Sequence, residues 1–254
     1  MDGAAGWDDY APFYDWENSR TIGRRDLPFW QRFAAADKTG RGSLELGCGT
    51  GRILVPLART GRRMTGVDLS AEMLERARQR AKRMPAHARP RLVRGDMRAL
   101  PFAASAFARV LAPYGVLQSL TSDADFDAVL TEAARVLASR GRLGIELVPD
   151  LQRWDAYQRQ ARFHGRLRGA NVTLVESVRQ DRDRGLTVFD EEFVIRSGAR
   201  VRRHRFSLAF RTLAMATVLD KLTTAGFTVE AVRGSYGRAP WTPAAPVWMV
   251  IARR

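Results

Sequence analysis

The feature that most constrains this chain is the run Leu44-Glu45-Leu46-Gly47-Cys48-Gly49-Thr50-Gly51-Arg52, an apolar strand segment entering a glycine-rich turn that opens onto a helical pattern. Lacking Cβ atoms, Gly47, Gly49 and Gly51 let the backbone turn sharply and come against a ligand, and the helix N-terminus beyond them favours a negative group. The spacing is G-x-G-x-G. It differs from the G-x-G-x-x-G of nicotinamide and flavin enzymes, and with no Gly-Lys-Ser/Thr after it the loop is not a Walker phosphate loop. An acid follows where a ribose needs one: Asp68, in Gly66-Val67-Asp68-Leu69-Ser70, ends the next apolar run and can accept both hydroxyls of an adenosine ribose.

Short apolar runs at 44–46, 64–67, 92–93, 110–112 and 143–148 alternate with helical patterns. That alternation predicts βαβ units and an α/β, doubly wound sheet whose ligands bind outside the carboxyl ends of the strands. Gly61 stops a helix over 53–60, and Ser70 caps a helix that Pro85 terminates. Phe126, Val129, Leu130, Ala133 and Leu137 share one helical face, after Asp123 as the expected cap and before Gly141. Beyond residue 150, three alternating segments near 172–178, 186–195 and 201–210 are joined by hairpin-length turns, which predicts an inserted antiparallel β-meander. A helix at about 213–225 and strands at 227–232 and 247–251 finish the chain. The expected division is an N-terminal aromatic lid (1–36), a cofactor-binding α/β core (37–150), the meander (151–212) and completion of the core sheet (213–254).

With 254 residues, 45% hydrophobic and 27% charged, the composition is that of an ordinary globular domain and excludes disorder, collagen and coiled coil. No window approaches 18 apolar residues and the first ten residues are acidic and polar, so a soluble, cytoplasmic protein with no membrane partner is expected. One cysteine and three unclustered histidines suggest neither a disulfide nor a metal. A net charge of +15 invites a nucleic-acid reading, but all except three of the 42 basic residues are arginine, and they are dispersed. The densest group, Arg200, Arg202, Arg203 and Arg205 around His204, lacks interleaved aromatics and reads as a solvated strand face, so nucleic acid is not the expected partner.

Together with Gly95-Asp96-Met97-Arg98 and Ala112-Pro113-Tyr114-Gly115 at the ends of the third and fourth strands, the glycine loop and Asp68 resemble the class I S-adenosylmethionine-dependent methyltransferases over about residues 40–150. The resemblance implies a Rossmann-like, seven-stranded sheet with an antiparallel last strand, S-adenosylmethionine as cofactor and S-adenosylhomocysteine as product. It implies that the loop from Glu45 to Arg52, with Cys48 inside it, holds the methionine portion, and that the Tyr14 hydroxyl reaches the methionine carboxylate. Asp68 would bind the ribose, Asp96 and the Met97 backbone the adenine, and Leu69 and Met73 would pack on its ring. Ala112, Pro113 and Tyr114 would lie beside the sulfonium, with Gln118 near the substrate mouth. More loosely, the 10–16 segment, the Gly-Asp-Met-Arg run and the meander resemble small-molecule N- and O-methyltransferases acting on amines, amino sugars and natural products.

A sulfonium is an already activated methyl donor, so the protein has mainly to align an acceptor lone pair opposite the sulfur. An amine needs only to be neutral, whereas a hydroxyl gains from a general base. Tyr14 and His164 are the candidate catalytic residues, although a lone histidine is as readily a surface group. Glu146 and Asp150 are placed to bind a cationic acceptor or to hold the geometry of the site. The aromatics Tyr10, Phe13, Tyr14, Trp16, Phe29 and Trp30 form either a lid, with ring faces near the sulfonium, or simple packing on the sheet edge. Cys48 reads as a small filler rather than a nucleophile. Two other functions stay open. A nucleic-acid-modifying methyltransferase would need the Asn/Asp-Pro-Pro-Tyr/Phe run of the amino-methylating enzymes, where this chain has Ala112-Pro113-Tyr114-Gly115; a non-catalytic cofactor-binding or interaction protein would use the meander as its surface. The meander is also the candidate homodimerisation element, because its strand edges need cover.

Overall fold

A parallel strand covered by helices on both sides must bury nearly every side chain, and the short runs that meet this condition form the middle of the sheet. In the computed structural model, which describes residues 6–148 and 156–254, β1 (Ser43–Leu46) and β4 (Phe107–Ala112) are buried throughout. β2 (Met64–Asp68), β3 (Arg91–Arg94), β5 (Leu137–Leu147), β10 (Thr228–Arg233) and β11 (Trp248–Arg253) complete seven strands in the order β10-β11-β5-β4-β1-β2-β3. β1, β2, β3, β4 and β5 pair in parallel. The final strand, β11, inserts between β5 and β10 and runs antiparallel to both. Winding reverses between β1 and β4, so the crevice lies above the carboxyl ends of those two strands.

Two apolar layers hold the sheet. α5 (Asp123–Val136) and α6 (Met215–Thr224) bury Phe126, Leu130, Val218 and Leu222 on one face. α2 (Leu27–Ala35), α3 (Leu54–Arg59) and α4 (Ala71–Ala81) bury Trp30, Leu54, Leu57 and Leu74 on the other. Ser70 caps α4, its hydroxyl oxygen accepting from the Met73 amide at 3.0 Å. At α5 the cap is Ser122 rather than Asp123. Ser122 has the extended backbone that a cap requires and accepts from the Asp125 amide at 3.1 Å, while Asp123 opens the helix and pairs with Arg211 and Lys221.

The N-terminal aromatics divide between two jobs. Phe29, Trp30 and Phe33 of α2 lie against β5, where a Cβ on Gly144 would stand 3.0 Å from the Trp30 ring and 3.1 Å from Phe33. They are sheet packing. α1 (Trp7–Asn18) carries Tyr10, Phe13 and Trp16, which pack with Val172, Leu174, Val178, Phe189, Phe193 and Leu208 of the second sheet.

That second sheet has four antiparallel strands where sequence alternation marks three: β6 (Tyr157–Leu167), β7 (Ala170–Asp181), β8 (Leu186–Ser197) and β9 (Arg200–Arg211), in chain order. β6 is an edge strand exposed along most of its length, so its arginine-rich sequence shows alternation only at Phe163, Gly165 and Leu167. Arg200–Arg205 are exposed on the opposite edge, and Arg203 and Arg205 reach Glu192 at 3.2 and 2.8 Å. Among the described residues no helix is long and apolar enough to cross a membrane.

The tightest joint between loop and sheet is at Gly66 on β2, where a Cβ would lie 2.6 Å from both Cys48 Sγ and Leu54 Cδ2. Gly66→Ala is therefore expected to destabilise the fold by about 1–3 kcal/mol through overpacking, measurable as a lower urea midpoint at unchanged slope.

Candidate active site

At the end of β1 the chain passes through three left-handed glycines, Gly47 (φ 55°), Gly49 (φ 51°) and Gly51 (φ 74°), a backbone that side-chain-bearing residues rarely adopt. Gly47 also lacks room, since a Cβ there would lie 2.4 Å from Val116 Cγ2. The loop is fixed to the next strand by its own amides. Cys48 donates to the Val67 carbonyl at 3.0 Å, and Gly49 donates to Asp68 Oδ2 at 2.7 Å. Asp68 Oδ1 accepts from the Ser70 amide at 2.9 Å. Burial pushes the Asp68 carboxyl up from its ordinary range, against the Ser70 and Gly49 amides that favour its ionised form. Each oxygen retains a lone pair for a ribose hydroxyl.

Glu45, one pleat before the loop, is 2% exposed, and its Oε2 has no hydrogen-bond partner among the described residues. Burial raises its pKa well above that of an ordinary carboxyl. The nearby Arg52 is committed elsewhere: its guanidinium meets Asp26 in two bonds of 2.7 Å, and Asp26 is fully buried. An orphaned carboxylate oxygen beside a bare glycine backbone is a place for a donor group on a ligand. Cys48 lies over Gly66, and burial pushes its thiol well above the usual range, consistent with a filler.

α1 crosses this loop. Asp8 accepts from the Ser70 hydroxyl and from the Glu72 amide at 3.1 Å. Asp15 accepts from the Thr50 hydroxyl at 2.6 Å and pairs with Arg80 at 2.7 Å. Between these latches Tyr14 sits against Gly49, its ring carbon 4.0 Å from where a Cβ would stand. Burial drives the Tyr14 hydroxyl's ionisation far up, so it is a neutral donor and not a base. No hydrogen bond joins that hydroxyl to any described residue. Asn18, one turn on, donates to the Tyr14 carbonyl at 2.9 Å and leaves its buried Oδ1 unpartnered. Sequence reading missed Asp8, Asp15, Asn18 and Asp26; polar residues on and between short N-terminal helices carry no motif.

Opposite the loop, Ala112 and Pro113 are buried and Tyr114 is held at φ 52°, a strained conformation for a non-glycine residue. Glu146, the last inward acid of β5, fixes it: Glu146 Oε2 accepts from the Tyr114 amide at 3.0 Å and its Oε1 from the Tyr236 hydroxyl at 2.7 Å. Of the two roles expected for Glu146, holding geometry is the one its contacts express. Asp150 lies outside the described residues. The Tyr114 hydroxyl meets Thr21 at 3.1 Å, and the Arg52 guanidinium stands 5.4 Å from its ring centre.

Beyond Asp68, Leu69 is 36% exposed, an open apolar surface. Asp96 is gripped by Arg98 at 2.7 Å, which also pairs with Asp125 at 2.7 Å, and those bonds hold the Asp96 carboxyl below its usual range. Met97 is partly buried against the core. Three residues stand apart from their expected places. Met73 is buried with α1 and the second sheet, because the start of α4 lies beneath α1. Gln118 spends its amide on Val148 (2.8 and 3.2 Å) and the Arg211 carbonyl (3.2 Å), bracketing β9 to the core rather than facing a mouth. His164 is exposed and meets Thr173 at 3.1 Å; its neighbour Gly165 faces Trp16 and Arg20, so alternation turns His164 away from α1.

Residues 44–141 match the family model described as a methyltransferase domain. The CcbJ methyltransferase from Streptomyces caelestis superposes over 100% of this chain and 99% of its own, with a TM-score of 0.82 and 22% identity. CalS10, an amino pentose methyltransferase from Micromonospora echinaspora solved with S-adenosylmethionine, covers 95% of this chain and 96% of its own at a TM-score of 0.73 and 22% identity. These likenesses speak to the fold. In sequence, the demethylmenaquinone methyltransferase of Tropheryma whipplei is 37% identical over 117 residues, 45% of this chain and 46% of that protein. The chain spans about half the length of the curated relatives it matches first. Residues 44–141 thus correspond in sequence to a methyltransferase domain, and the structural neighbours share the fold of the core together with that of the second sheet.

If the two α1 carboxylates are its latches, Asp15→Ala is expected to raise hydrogen exchange of the α1 amides about tenfold, equivalent to losing a charge-assisted bond of about 1.5 kcal/mol, while amides of β1 and β4 keep their protection.

Proposed function

We propose that this chain is a methyltransferase that uses S-adenosylmethionine to move a methyl group to nitrogen or oxygen of a small-molecule acceptor by in-line SN2 transfer. The observation that carries the reading is the glycine loop itself: a bare, left-handed backbone tied by the Gly49 amide to Asp68, with the orphaned Glu45 oxygen beside it at the β1–β4 switch point. The residues present fit such a cofactor. Glu45 and Asn18 offer buried acceptors to its donors, the Tyr14 hydroxyl offers a donor to its carboxylate, and Asp68 has lone pairs left for a ribose. When bound, the cofactor supplies a methyl group activated by a positively charged sulfur.

What remains for the protein is positioning and exclusion of water. α1 covers the loop through Asp8 and Asp15, and the Glu146–Tyr114 pair fixes the backbone at the far side of the crevice. A neutral Tyr14 cannot abstract a proton, and His164 faces the other way, so alignment rather than base chemistry supplies the acceleration near the loop. The superposition on an amino pentose methyltransferase over 95% of this chain supports a small acceptor.

Calorimetric titration with S-adenosylhomocysteine tests the reading. The native chain is expected to bind it, and Asp68→Ala to bind at least about thirtyfold more weakly, because the two ribose hydroxyls lose their acceptor at about 1 kcal/mol or more each. No binding to the native chain would overturn the assignment.

A further inference from the structure

Between α1 and the inner face of the second sheet lies a set of ionisable groups that the cofactor does not need. Glu17 comes from α1, Glu176 from β7 and Glu191 from β8; in β7 and β8, Glu176 and Glu191 are directly paired and point to the same side as Val178, Phe189 and Phe193. Glu176 is 7% and Glu191 3% exposed. Tyr10 donates to Glu17, Tyr157 of β6 donates to Glu176, and Arg162 of β6 reaches Glu176 at 3.2 Å. Glu191 Oε2 has no hydrogen-bond partner among the described residues. His204 of β9 stands one ring away, behind Phe13.

Three carboxylates with one partly exposed arginine between them are short of positive charge. Burial pushes Glu17 up to about 7 and Glu191 well above the ordinary range, so the pair keeps a proton where a cation is missing. Such an arrangement contributes nothing that apolar side chains of the same size would not do better for stability. The walls are aromatic: Tyr10 meets Phe193 at 6.1 Å and Phe206 at 5.1 Å, and Phe13 stacks on Phe193 at 4.4 Å. Carboxylates framed by ring faces suit an organic ammonium ion, which needs both charge and a weakly hydrated surround. A metal ion is a poorer match, since no group of three His, Cys, Asp or Glu among the described residues is arranged to hold one. The box is also close to the proposed chemistry: Thr21, whose amide donates to the Glu17 carbonyl at 3.2 Å, meets the Tyr114 hydroxyl at 3.1 Å, at the end of β4.

We propose that this box is the acceptor subsite, and that it takes the protonated nitrogen of a small primary or secondary amine through Glu191, Glu17 and Glu176. The inference rests on the methyltransferase reading and narrows its acceptor to amines. The ammonium replaces the proton shared by the buried acids. To become reactive it gives one N–H proton to a carboxylate oxygen, the bonding pair stays on nitrogen as the lone pair, and the resulting carboxyl returns the proton to water. Glu17 and Glu191 are thus binding groups and proton acceptors for the amine, and Tyr10, Tyr157 and Arg162 position them.

The test uses the full chain loaded with S-adenosylhomocysteine and two matched probes, 2-phenylethylamine and 2-phenylethanol, with methylammonium as the minimal cation. By calorimetry the amine is expected to bind at least about tenfold more tightly than the alcohol, and in buffers of different ionisation enthalpy near pH 6 to release up to about one proton per amine. Glu191→Gln and Glu17→Gln are each expected to weaken the amine about tenfold while S-adenosylhomocysteine affinity stays within about twofold, which also certifies that the variants fold. Equal affinity for alcohol and amine, amine binding indifferent to both substitutions, or no response to either cation at about 100 mM in a chain that binds S-adenosylhomocysteine would each overturn the proposal. Absence of S-adenosylhomocysteine binding would instead fell the methyltransferase reading, leaving the amine titration to decide the box on its own.

Discussion

Asp68 makes two bonds on which much of the active crevice depends. Its carboxylate draws the Gly49 amide from the loop after β1 and the Ser70 amide from the turn after β2, so that two βα junctions become one rigid floor. Ser70 then caps α4 and donates its hydroxyl to Asp8, which sets where α1 can lie. The glycines make the loop sterically feasible, but it is the charge-assisted pairing with Asp68 that selects one conformation among those they allow. Removing the acid frees the loop, the cap and α1 together.

Around that floor the crevice is unusual in how many carboxyls it buries. Asp26 is neutralised by Arg52, Glu146 by an amide and a tyrosine hydroxyl, and Glu45 only in part. Burial raises the pKa of Glu45, Asp68 and Glu146 in common, because a carboxylate charge is costly in a region poor in water. A positively charged occupant would offset that cost and draw these groups toward their ionised form. The surface shows the opposite sign, with arginines spread over the second sheet and many of them spent on pairs such as those around Glu192.

Legibility in the sequence followed the physics of each part. The parallel strands and the glycine loop were readable because full burial and left-handed turns demand particular residue types at fixed spacing, and Asp68 because a strand end places it. The count of seven strands and the antiparallel last one came from the resemblance, not from periodicity. β6 escaped because an exposed edge strand is under little pressure to alternate, and Ser122 was passed over because a serine followed by two acids offers three plausible caps. The acidic box was invisible for a different reason: Glu17 lies more than a hundred residues before Glu176 and Glu191, and each alone looks like an ordinary surface acid. Only the register that pairs Glu176 with Glu191 and the placing of α1 bring them together.

α1 presents one stripe of its surface to the glycine loop, through Tyr14, Asp15 and Asn18, and another to the second sheet, through Tyr10, Phe13 and Glu17. Twelve residues thus face the loop and the box at once. A helix shared in this way cannot shift for one tenant without disturbing the other, so whatever settles at either place alters the energy of opening both. Their emptying should therefore be a joint event, with the residence time of each occupant written into the stiffness of a three-turn helix.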